Sequence, residues 1–186
     1  MISEPMTLAT DYLLGGVSLW IAFKVFRISR FWALGFTALS IAAFLGGTWH
    51  GFFKSDALWK ATTLAVGVAS FGMLAGSARA VTSGLALRAL TAFAALKLVA
   101  YCAWMLFHDD FIWVVADTGA SLAIIAALYL WRFNGWMLAG VAVSVAAGAV
   151  QASGFALHLH LNHNDLYHVV QIAALLLFYK GLAAKR

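Results

Sequence analysis

The chain has 186 residues, 64% of them hydrophobic and only 10% charged. A soluble domain carries roughly a quarter charged residues, so the composition excludes an ordinary soluble globular protein. The net charge of +5 does not point to nucleic acid, because the basic residues stand singly between apolar runs, as loop charges on a membrane protein do.

A bilayer-spanning helix needs about 20 mostly apolar residues. The length therefore predicts an all-α polytopic membrane protein, one domain over residues 1–186, with seven transmembrane helices and tight loops. Met1-Ile2-Ser3-Glu4-Pro5 lacks the basic region of a signal peptide, so the first apolar run reads as a retained helix. The predicted helices cover residues 7–27, 31–53, 57–78, 82–107, 110–131, 134–157 and 164–183. Small residues in the third, fourth and sixth suit close packing in lipid. Cys102 is the single cysteine, which excludes a disulfide within the chain, and its apolar surroundings make it a packing residue.

Basic residues set the orientation. Lys24, Arg27, Arg30, Arg79, Arg88, Arg132, Lys180, Lys185 and Arg186 fall at one end of the predicted bundle, and only Lys54 and Lys60 at the other. The positive-inside rule makes the first end cytoplasmic. The N-terminus is then outside and the C-terminus inside, as seven helices require, and a bacterial plasma membrane is the expected location.

The histidines and carboxylates gather toward the opposite face. Glu4 and Asp11 lie at the outer end of the first helix, His50 near the outer end of the second and Asp56 in the next loop. His108, Asp109 and Asp110 form an outer turn, and Asp117 lies about two turns deep in the fifth helix. His158, His160, His163, Asp165 and His168 cluster where the sixth and seventh helices join. His158 and His160 read as loop residues.

His168 falls within Leu166-Tyr167-His168-Val169-Val170-Gln171, and an ionisable side chain among spanning apolar residues is a functional candidate. Asp165 and His168 share a helical face at i and i+3, and Asn164 and His168 at i and i+4. His50 is flanked by glycines and aromatics. His50 with two ligands from the seventh helix, drawn from His163, Asp165 and His168, would give the three protein ligands of an open zinc site. Lys97 and Asp117 lie at similar distances from the turn near residue 108, and at that depth a charge needs a partner. They are expected to form an ion pair, unless Asp117 serves the site and Lys97 pairs elsewhere. Gln151, Gln171 and Thr118 are candidate hydrogen-bond partners behind the ligands.

Seven helices with these two histidine regions resemble the CREST superfamily of membrane proteins, which includes alkaline ceramidases, haemolysin III-like proteins and adiponectin-type receptors. The superfamily pattern is Ser-x-x-x-His in helix 2, an Asp near helix 3 and His-x-x-x-His in helix 7. His50 and His168 match two of its histidines. Gly46 stands at the serine position and Asn164 at the other histidine, and Asp56 comes early for the aspartate. The resemblance implies a zinc-dependent hydrolase acting on a lipid or lipid amide at the outer face.

Three functions follow as expectations. In the hydrolase, Asp165, Asp117 or Asp56 would take the proton of a zinc-bound water. In a haem-binding electron carrier, His50 and His168 would be axial ligands. In a transporter or receptor-like binding protein, Lys97 and Asp117 would relay charge.

Overall fold

The computed structural model describes residues 2–158 and 161–184. His160, Lys185 and Arg186 lie outside the described residues. Seven helices follow in order: α1 (Pro5–Val25), α2 (Arg30–Gly51), α3 (Asp56–Val81), α4 (Gly84–Met105), α5 (Phe111–Trp131), α6 (Gly135–Ser153) and α7 (His163–Ala183). Each is long and apolar enough to cross a membrane.

Local chemistry sets the helix ends. Pro5 opens α1, a position where its missing N–H costs nothing. The side chains of Ser29, Ser55 and Asn134 each accept a hydrogen bond from the first turn of the helix that follows. Asn162 caps α7 in a reciprocal box with Asp165. The sixth helix stops four residues before the sequence-based boundary of 157, because Gly154 at φ 65 ends it in the left-handed conformation.

The helices form a closed ring in the order α1, α2, α3, α5, α6, α7, and α7 returns to pack on α1. The fourth helix stands outside this ring, packed mainly on α3 and barely on α5. The ring is filled by aromatic and aliphatic side chains such as Trp32, Phe36, Ile125, Leu175 and Phe178. The ring of Trp32 lies 5.3 Å from that of Phe178, joining α2 to α7.

One end of the bundle carries the histidines and the other carries Arg27, Arg30, Arg79 and Arg132. Near the arginine end, α2 and α3 touch backbone to backbone. A Cβ on Gly72 would stand 2.7 Å from the amide nitrogen of Gly35 and 2.7 Å from the carbonyl oxygen of Phe31. Main chain cannot yield there as a side chain can. Gly72→Ala is therefore expected to lower the thermal midpoint in detergent, with a loss of about 1–3 kcal/mol. Gly16→Ala, whose Cβ would meet nothing within 4 Å, leaves the midpoint unchanged or slightly raised.

Candidate functional site

Thr7, Thr10 and Asp11 occupy positions i, i+3 and i+4 of α1, so they form one polar patch on an otherwise apolar helix. All three are buried. They face Asp165 and His168 of α7, which are 1% and 7% exposed. The Thr7 hydroxyl donates to Asp165 Oδ1 at 2.8 Å. The imidazole of His168 lies between two α1 side chains. Its Nδ1 is 3.1 Å from Thr10 Oγ1, and its Nε2 is 3.1 Å from Asp11 Oδ1. Helix α2 makes room for this patch, since a Cβ on Gly47 would come within 2.9 Å of the Asp11 Cβ and 2.7 Å of the Tyr12 ring.

Proton counting defines what this geometry holds. The Thr10 hydroxyl has one proton, and the carbonyls of Met6 and Thr7 compete for it at 3.0 and 3.1 Å. A hydroxyl committed to a carbonyl can only accept at Nδ1, so Nδ1 carries a hydrogen. The Nε2 lone pair then faces a carboxylate oxygen. Two acceptors 3.1 Å apart need a cation between them, either a proton or a metal ion.

His50 completes the neighbourhood. Its Nδ1 is 2.8 Å from Glu4 Oε2, while Lys54 donates to Glu4 Oε1 at 2.7 Å. Burial raises the Glu4 pKa, but the hydrogen bonds from Lys54 and His50, with their charges, outweigh burial and hold it below the ordinary 4.5. His50 lies within electrostatic range of His168, and Asp165 and Glu4 within range of Asp11. A cavity of about 130 Å³ opens beside the cluster, lined by Ser3, Glu4, Thr7, Asn162 and Asp165 among others. A water molecule takes about 30 Å³ of liquid volume, so several fit.

The donors match a zinc-type ion in kind. With bonds of about 2.0–2.2 Å, neighbouring ligands of a tetrahedral ion stand about 3.3–3.6 Å apart, while the 3.1 Å between Asp11 and His168 is a hydrogen-bond distance. The far nitrogen of each histidine is held by Thr10 or Glu4, an arrangement that fixes ring orientation at metal sites. Among the described residues, no three such side chains converge on one point; the geometry brings together a pair.

The ligand set expected on α7 is not assembled in this structure. Asp165 spends one oxygen on Thr7 and the other on the amide of Asn162, at 2.8 Å each. It braces the start of the helix and does not meet His168 directly. Asn164 faces α6, where its Oδ1 accepts from Gln151. His163 opens α7 and is half-buried, with no contact to His50 or His168. Asp56 begins α3 at an exposed position, in no ion pair with either histidine. His108 stacks on Trp104 at 3.9 Å, and His158 pairs with Leu161 in the turn before α7. Gln171 donates to Ser144 of α6, and Thr118 bonds within its own helix, so neither supports the site. Asp11, Thr7 and Thr10 are the residues that sequence reasoning missed. Their spacing in Thr7-x-x-Thr10-Asp11 was the available signal.

A second polar cluster lies across the ring and shares no contact with the histidines. Lys97 of α4 and Asp117 of α5 form an ion pair, with side chains 13% and 6% exposed. Lys97 also reaches Ser70 of α3 at 3.1 Å, and Ser70 donates to Ser121 of α5 at 2.9 Å. This ion pair joins α4 to α5 directly, alongside the packing of Tyr101 and Met105 on Val114 and of Trp104 on Trp113, and Ser70 ties it to α3. Asp117 is thus tied into the bundle and is not presented to His168. Replacing one partner of a buried pair strands the other charge, at about 3–5 kcal/mol. Lys97→Met should cost about that much in unfolding experiments, and adding Asp117→Asn should restore most of it. A double variant no better than Lys97→Met would show that the lysine acts by packing alone.

No curated protein and no solved structure matches this chain. A family model matches residues 6–186, which takes in all seven helices. The chain belongs to that family, DUF6962, a family of unknown function.

Proposed function

We propose that this protein is an integral membrane hydrolase of the CREST kind, with a metal site at the histidine end of its bundle and a lipid or lipid amide as substrate. The observation that carries the reading is the buried contact between His168 Nε2 and Asp11 Oδ1, two acceptors that need a proton or a metal ion between them. The excess of basic residues at the opposite end supports a cytoplasmic position for that end. The site then faces outward from a plasma membrane, N-terminus outside and C-terminus inside.

His168 and Asp11 would hold the ion, Asp11 in place of the second ligand expected on α7. His50, within electrostatic range of His168, would complete the expected set only by moving onto the pair, since no three such side chains converge among the described residues. A zinc ion bound there would lower the pKa of its water toward about 7 and polarise a carbonyl. Thr10 and Glu4 fix the ring orientations of His168 and His50. Of the three aspartates expected to take the water's proton, Asp165 is the one beside the cavity, held by Thr7 and Asn162. Asp56 and Asp117 lie elsewhere.

The haem reading has less support, because both ring nitrogens of His168 already have partners. A charge relay through Lys97 and Asp117 remains a separate proposal, favoured by the buried Asp117 Oδ2, which has no hydrogen-bond partner.

Elemental analysis of purified protein, with an optical spectrum of the same sample, tests the proposal. About one zinc per chain is expected, reduced more than tenfold in His168→Ala and Asp11→Ala and retained in Asp56→Ala. Hydrolysis of a fluorogenic lipid amide should fall in parallel. A folded, metal-free protein that still hydrolyses the amide, or metal retained in His168→Ala, would overturn it.

A further inference from the structure

The arginine end holds a second candidate site. A cavity of about 960 Å³ lies between the α1–α2 turn and the end of α3, and its lining includes Phe26, Arg27, Arg30, Phe31, Leu34 and Arg79. That volume is at the upper end of the range for small-molecule sites, about 300–1,000 Å³.

Three guanidinium groups line one cavity, and the described residues offer them no anion. None of the ion pairs among the described residues includes Arg27, Arg30 or Arg79. Glu4, Asp11, Asp56, Asp109, Asp110 and Asp165 sit toward the histidine end, and Asp117 is paired with Lys97. The N-terminus of α2 adds to the same potential. Arg30 and Phe31 open that helix and line the cavity, and their main-chain N–H groups have no partner within the helix. The helix dipole there also favours negative charge.

The remaining lining is apolar and open to the outside. Phe26 is 57% and Leu34 41% exposed, and Leu34 continues onto the apolar face of α2. A free anion has no use for such walls. A phospholipid uses both parts, with its phosphate among the arginines and its acyl chains along Phe26, Phe31 and Leu34.

We infer that this cavity binds the headgroup of an anionic phospholipid from the surrounding leaflet. Basic pockets between transmembrane helices take anionic headgroups by this chemistry, at about fivefold in affinity per basic residue near the surface.

Native mass spectrometry of the full chain, titrated with phosphatidylglycerol or phosphatidylcholine in micelles, tests this directly. Phosphatidylglycerol is expected to bind in preference, and occupancy to fall about fivefold per arginine in R27Q, R30Q and R79Q. K180Q, outside the cavity, should leave it unchanged. Wild-type protein supplies an arm that needs no variant: raising the salt should strip phosphatidylglycerol and spare phosphatidylcholine. Equal binding of the two lipids, or salt-independent binding, would overturn the inference. Displacement of phosphatidylglycerol by millimolar inorganic phosphate would assign the cavity to a soluble anion instead.

Discussion

Seven apolar helices leave a polar side chain few companions besides other polar side chains. The contact between Asp11 and His168 follows from that constraint, and much of the bundle is arranged around it. A buried carboxylate and a buried imidazole, alone among hydrocarbon, would each cost several kcal/mol. Set 3.1 Å apart and sharing a cation, they become a reason for α1 and α7 to pack. The neighbouring features serve the same end. Gly47 lets α2 approach Asp11, and Thr10 takes the far nitrogen of His168. Thr7 secures Asp165, which in turn caps the helix that carries His168. The chain's first and last helices are joined by this patch, closing the ring.

The same constraint explains the second cluster. Lys97, Asp117, Ser70 and Ser121 form a polar cluster joining α3, α4 and α5, beside the apolar contacts of Tyr101 and Met105. The two pairs are buried to a similar degree. The histidine patch is set apart by a small cavity beside it, lined by Thr7 and Asp165 among others, and by side chains able to act as ligands or acid–base groups. The division of charge also has a consequence at the far end. With the acidic side chains elsewhere, the arginines around the α1–α2 turn have no counter-ion among the described residues.

Helix number was legible in the sequence because uninterrupted apolar runs and the scarcity of charge admit few alternatives. Helix ends were less so. Gly154 falls within the run 134–157, and only its left-handed backbone shows that α6 stops there. The meeting of Lys97 and Asp117 was readable from their similar distances to one tight turn, a local relation. His168 stood out for its apolar setting, but its partner did not. Asp11 lies 157 residues earlier in the chain, and nothing local says that α1 and α7 are neighbours. The ligand candidates His163 and Asp165 were chosen for proximity in sequence and for the CREST-like pattern. Helix capping claims Asp165, and α6 claims Asn164. Asp11 was readable only as part of a Thr-x-x-Thr-Asp stripe, which marks a buried polar face without naming what it faces.

The account depends on Asp11 and His168 acting as a unit. A double-mutant cycle with Asp11→Asn and His168→Gln, read by unfolding in detergent, measures that coupling most directly. If the contact is as described, the double variant is no less stable than the worse single variant, because the first substitution already removes the shared cation. Effects that simply add would contradict it, and would mean that the two side chains are buried independently.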